Sequence, residues 1–91
     1  MKVYLSAEAA EQLQHILEYL EENWSVKVRD NFISKLERSF ELMSKMPFLF
    51  PASEKLPGLR KCVITPQTIS YYRVNEDEIE VIAILDARSD A

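Results

Sequence analysis

The segment Pro57-Gly58-Leu59-Arg60-Lys61-Cys62-Val63-Ile64-Thr65-Pro66-Gln67-Thr68-Ile69-Ser70-Tyr71-Tyr72-Arg73-Val74 reads as two strands joined by a tight turn. Leu59 to Thr65 is the first strand and Ile69 to Val74 the second. Between them, Thr65-Pro66-Gln67-Thr68 carries a proline preset for the second position of a turn. Downstream, Asn75 to Glu78 turns the chain again, and Ile79 to Leu85, rich in β-branched residues, is a third strand. Connections this short make the three strands an antiparallel meander.

Upstream, Pro47 to Gly58 holds three of the four prolines and the only glycine, so it is the one long connection. Phe48, Leu49 and Phe50 within it are expected to anchor the loop against the core. Before it lie two amphipathic helices. Ala10, Leu13, Ile16, Leu17, Leu20 and Trp24 form the stripe of the first, with Ser6 as its N-cap. Val28, Phe32, Leu36, Phe40 and Met43, widened by Ile33, form the stripe of the second, capped by Ser25. The second helix ends near Met46-Pro47, because proline disfavours helical geometry in the residue before it. Lys2-Val3-Tyr4-Leu5 alternates polar and apolar and reads as a short opening strand. The order β-α-α-β-β-β predicts an α+β domain over 1–91, with a helical hairpin on one face of a small antiparallel sheet and the other face partly open.

Composition narrows the function. Ninety-one residues with 47% hydrophobic content suffice for one core. No apolar run reaches the ~18–20 residues of a membrane span, and the opening residues do not resemble a signal peptide. The single Cys62 has no internal disulfide partner, which suits a reducing, cytoplasmic setting. Cys62 and the lone His15 are far apart in sequence, so neither a metal site nor a cofactor is expected. Net charge is −4, whereas proteins that grip phosphate backbones usually carry a basic surplus. Lys55, Arg60, Lys61 and Arg73 nonetheless make the stretch from Glu54 to Asn75 locally basic. A basic patch on an acidic body favours a protein partner over sequence-specific nucleic-acid binding.

Phe50-Pro51, Pro57-Gly58-Leu59-Arg60, Tyr72-Arg73-Val74 and the ending from Leu85 to Asp90, in this order and spacing, resemble the ParE/RelE toxin superfamily. The resemblance covers nearly the whole chain. It implies a toxin of a type II toxin–antitoxin, or plasmid-stabilisation, module, neutralised by a small cognate antitoxin. RelE-like members of the superfamily cut messenger RNA on the ribosome, whereas ParE-like members poison DNA gyrase and lack the ribonuclease residues.

RNA cleavage at a 2′-hydroxyl needs a base, an acid and cations for the phosphorane charge. Arg60, Lys61, Arg73 and Arg88 are the only residues placed for the nuclease reading. Val63 or Cys62 stands at the next outward position of the second strand, and Ile69 where an early strand-three arginine belongs. Tyr71 and Tyr72 alternate, so at most one faces a given surface, and packing suits them better than acid catalysis. His15 reads as a surface residue and Cys62 as a small buried hydrophobe. Arg73 shares a strand face with Tyr71 and Ile69, and a structural pairing suits it.

The expectation is therefore a non-hydrolytic, ParE-like inhibitor of DNA gyrase with a ParD-like antitoxin as partner. Arg60, Lys61, Asp86, Arg88 and Asp90 are the candidates for target contact. Leu17, Trp24, Phe40, Phe48 and Phe50 are the candidates for an antitoxin helix laid in an apolar groove. An mRNA endoribonuclease, or a degenerate member that only binds antitoxin, is the alternative.

Overall fold

The computed structural model describes residues 1–88. Its elements run β1 (Lys2–Leu5), α1 (Ala7–Asn23), α2 (Val26–Lys45), β2 (Arg60–Thr65), β3 (Thr68–Asn75) and β4 (Glu78–Asp86). The order is the expected one, and β3 and β4 each extend one residue further at both ends than the sequence implied. The four strands form one sheet in the order β1-β4-β3-β2. The last three make the antiparallel meander, while β1 runs parallel to β4, with Val3 opposite Ile79. A helical crossover between β1 and the meander is what permits that parallel pair.

Local chemistry sets the helix ends. The Ser6 Oγ accepts from the Ala9 N–H at 3.0 Å and donates to the Ile82 carbonyl at 2.9 Å, so one hydroxyl caps α1 and ties it to β4. Ser25 Oγ accepts from the Val28 N–H at 3.0 Å and starts α2 only two residues after α1 ends. The stripes then bury Ala9, Ile16, Leu20, Phe32, Leu36 and Met43 against Cys62, Ile64, Tyr72, Ile79, Val81 and Ile84. Leu13, Leu17, Val28 and Phe40 pack at the rim of this core.

Two expected stripe positions differ. Ala9 is buried in place of the exposed Ala10, and Trp24 is 62% exposed. Trp24 sits past the end of α1 with φ −127° and ψ −89°, so the helical periodicity no longer aims its ring at the core.

The long connection is bound to the sheet by backbone rather than by aromatic anchors alone. The Ser53 N–H donates to the Leu59 carbonyl at 2.7 Å and the Lys61 N–H to the Pro51 carbonyl at 2.9 Å, with a bridge between Ala52 and Arg60. Residues 51–53 thus cover part of the outer edge of β2, which limits edge-to-edge association there. Gly58 closes this loop at φ +82°, a conformation side chains resist. Phe50 tucks in as expected, meeting Tyr72 edge to face with centroids 6.2 Å apart. Phe48 and Leu49 do not, and both are exposed.

Candidate functional site

The helices cover one face of the sheet and leave the other uncovered. Strand register assigns residues to each. Cys62, Ser70 and Ile84 stand opposite one another on the helix side, where Cys62 and Ile84 belong to the core. The alternate residues face away. Lys61, Tyr71 and Ala83 form one cross-strand row on the open face, and Val63, Ile69 and Leu85 form the next. Val63 is 55% exposed and Leu85 42%, with Ile69 half-buried between them. Three aliphatic side chains on adjacent strands therefore present an uncovered apolar stripe. Ile69 was legible as standing where a nuclease would hold charge, whereas the β2 position was left between Cys62 and Val63, and the register gives it to Val63. Leu85, the third member, was missed, and only its pairing with Ile69 reveals it.

The candidate cations do not converge. Arg60 turns to the loop, where its Nη1 donates to the Phe50 carbonyl at 2.8 Å and its guanidinium lies 4.9 Å from the centroid of the Phe48 ring. That contact holds Phe48 at the surface. Arg73 is paired across the strands with Glu80, Nη2 to Oε1 at 2.8 Å and Nε to Oε1 at 3.0 Å. Arg88 is bound to Asp86, Nη2 to Oδ2 at 2.9 Å and Nε to Oδ1 at 3.3 Å. Arg60 and Lys61 enter no ion pair among the described residues, and Lys61 makes no side-chain hydrogen bond there either.

Asp86, one of the candidates for target contact, is buried. It ends β4, its side chain is 1% exposed, and it accepts further hydrogen bonds from the Thr68 hydroxyl and the Arg88 N–H. Burial alone would raise its pKa, but the bonds from Arg88 and Thr68 outweigh burial and hold it below the usual aspartate value. A carboxylate so enclosed presents no surface to a target, so Asp86 positions Arg88 rather than making contact itself. Asp90 lies outside the described residues.

No proton-transfer pair stands near the open-face rows among the described residues. Tyr72 is fully buried on the helix side, its hydroxyl donates to the Pro47 carbonyl at 2.7 Å, and burial pushes its pKa up to about 12. That is far from the value a general acid needs near neutrality. Tyr71 is on the open face, yet only 5% exposed. The Cys62 thiol is fully buried and its pKa is raised by that burial, the reverse of an activated nucleophile. His15 lies across α1, lining an open cleft beside β4 with Glu8, Glu11 and Glu18. Among the described residues, no group of His, Cys, Asp and Glu is placed to hold a metal ion.

One buried polar atom has no partner among the described residues, the Ser70 Oγ between Cys62 and Ile84. A buried hydroxyl without a hydrogen bond is destabilising. Ser70→Ala is therefore expected to be neutral or to raise stability by up to ~1 kcal/mol, measured by urea denaturation.

The five antitoxin candidates separate into two groups. Leu17, Phe40 and Phe50 pack against the core and lend only their edges to the surface. Trp24 and Phe48 are exposed, each near other exposed apolar residues in the chain. Trp24 has Val26 two residues away at the hairpin turn, and Phe48 follows Leu42 and Met46 and adjoins Leu49, all exposed. Val26, Leu42 and Met46 escaped the sequence reading, and Leu49 was read as a core anchor, because exposure in a turn or last helical turn carries no periodic signal.

Comparisons with known proteins fit this architecture. The chain resembles the chromosomal ParDE system from P. aeruginosa (TM-score 0.77, 17% identity, 94% of this chain and 95% of that one). It also resembles a YoeB/ParE toxin from Agrobacterium tumefaciens (TM-score 0.68, 17% identity, 94% and 98%). The E. coli DinJ-YafQ toxin–antitoxin complex is a third similar structure (TM-score 0.64, 10% identity, 98% and 94%). At these identities the likeness speaks for the fold alone. No curated protein sequence matches. The family described as the ParE toxin of the type II toxin–antitoxin system parDE matches residues 3–91. The chain, with its helical hairpin on a β1-β4-β3-β2 sheet, belongs to that ParE toxin family.

Proposed function

We propose that this toxin acts without hydrolysis, by binding DNA gyrase, and that a ParD-like antitoxin neutralises it. The observation that carries the reading is the row Val63-Ile69-Leu85. In-line cleavage of RNA requires cations and a proton-transfer pair aimed at one phosphate. On the open face this chain offers aliphatic side chains instead, and three of its four candidate cations are engaged elsewhere, Arg60 by the loop, Arg73 by Glu80 and Arg88 by Asp86. The acidic cleft of Glu8, Glu11 and Glu18 at the Leu85 end of the row adds repulsion toward a polyanion. The antitoxin partner is supported by family membership and by the exposed apolar residues near Trp24 and Phe48 in the chain, which an amphipathic helix would cover.

The test is a pair of assays on the induced and the purified protein. Inhibited gyrase supercoiling in vitro with intact cellular messages is the expected result. Translation arrest with cleaved messages and unimpaired supercoiling would establish the nuclease reading instead. Normal growth with neither response would mark a member that only binds antitoxin.

A further inference from the structure

We propose that the row Val63-Ile69-Leu85 is the surface with which the toxin grips its target, and that the target presents an apolar protein patch to it. This inference rests on the reading of the chain as a toxin that acts on a protein. The row lies on the uncovered face near the β2–β3 turn, and its rim is charged asymmetrically. On the β2 side stands Lys61, whose side chain has neither an ion pair nor a hydrogen bond among the described residues. At the β4 side, Leu85 borders the cleft lined by Glu8, Glu11 and Glu18. A complementary partner therefore places acidic side chains toward Lys61 and basic ones toward those glutamates. Such a rim fixes the orientation of docking and speeds encounter, while the desolvated centre supplies the affinity.

Size says what else the partner must do. Adjacent strands are ~4.8 Å apart, so three residues in a row span only ~10 Å. A stable interface covers roughly 800 Å² on each side. The row is thus an anchor within a wider footprint. It is too small to hold a second copy of the chain by itself, and a nucleic acid finds no phosphate-binding group along it.

The experiment compares Val63→Lys, Leu85→Lys and their combination with wild type in a gyrase supercoiling assay and in growth arrest on induction. Thermal melting and antitoxin co-purification report folding. Both positions are exposed, so the melting temperature is expected to hold. The double variant is expected to lose inhibition by roughly tenfold or more. Val63→Thr with Leu85→Gln, milder and still compatible with a strand, gives the same direction should the lysines disturb the sheet. Charge reversal by Lys61→Glu is expected to weaken inhibition and to alter its salt dependence.

Wild-type inhibition retained in both folded double variants would overturn the docking row and leave the gyrase reading standing. If wild type does not inhibit gyrase, the gyrase reading falls, and growth arrest then decides the row. Arrest lost in the folded variants, with messages intact in wild type, supports it with a different protein target, and arrest retained, or messages cleaved by wild type, overturns it.

Discussion

Tyr72→Ala is expected to lose about 3–5 kcal/mol of stability, the cost of emptying a large aromatic site in a packed core. Tyr72 is the largest fully buried side chain, and it is the point where three parts of the chain meet. Its ring packs in the helix-side core, its edge meets Phe50, and its hydroxyl reaches Pro47 at the end of α2. For a chain of this size the loss corresponds to a fall in melting temperature of roughly 15–30 °C, seen by circular dichroism. Tyr72→Phe isolates the hydroxyl. It leaves the Pro47 carbonyl without that donor and is expected to cost about 1–2 kcal/mol.

The two variants also differ from wild type in alkali. The phenol is pushed from its ordinary 10 up to about 12 in the native state. A raised native pKa contributes stability that is fully present below the unfolded value and is lost as pH rises toward the native one. Wild-type stability is therefore expected to fall between pH 10 and about 12, and Tyr72→Phe to lack that part of the fall. An identical alkaline slope in both proteins would show that the Tyr72 phenol is not held as the structure has it.

What the sequence made legible follows the physics that repeats along it. Strand alternation placed Ile69, Tyr71 and Arg73 on one face and Tyr72 on the other, and left the outward residue of β2 open between Cys62 and Val63, which the pairing with Ile69 decides for Val63. The neighbourhood of Arg73 was also readable, since an arginine on an open strand face seeks a carboxylate, and Glu80 stands directly across. Non-periodic features escaped. Arg60 is satisfied by the backbone carbonyls of a loop ten residues upstream, and no residue-type pattern announces an acceptor of that kind. Phe48 read as a loop anchor and Trp24 as the end of the helical stripe, but one lies against a guanidinium and the other past a helix end. Parallel pairing of β1 with β4 joins the first and last strands, a contact between sequence-distant segments that no local signal encodes.

Asp86 belongs to the same class, and it changes what a tail experiment means. Arg88→Ala is expected to remove two donors from a carboxylate whose side chain is 1% exposed, where the Thr68 hydroxyl and the backbone N–H of residue 88 still donate to it. The expected cost at neutral pH is about 2–3 kcal/mol, or roughly 10–20 °C in melting temperature. Asp86 has a native pKa below its ordinary value, so its contribution is present above that value and is lost as pH falls through the native one. The gap between wild type and Arg88→Ala should accordingly close on acidification below the usual aspartate range. Removing residues from Asp86 onward would cut into β4 and Thr68's partner, so loss of toxicity in that truncation reports damage to the sheet. Asp86→Asn with Arg88→Gln separates the roles, because it discharges the buried site while deleting the guanidinium. This double variant is expected to regain most of the stability lost in Arg88→Ala, to bind antitoxin and to remain non-toxic. Full toxicity in that stable double variant would sink the assignment of Arg88 to target contact and leave its bond to Asp86 as purely architectural.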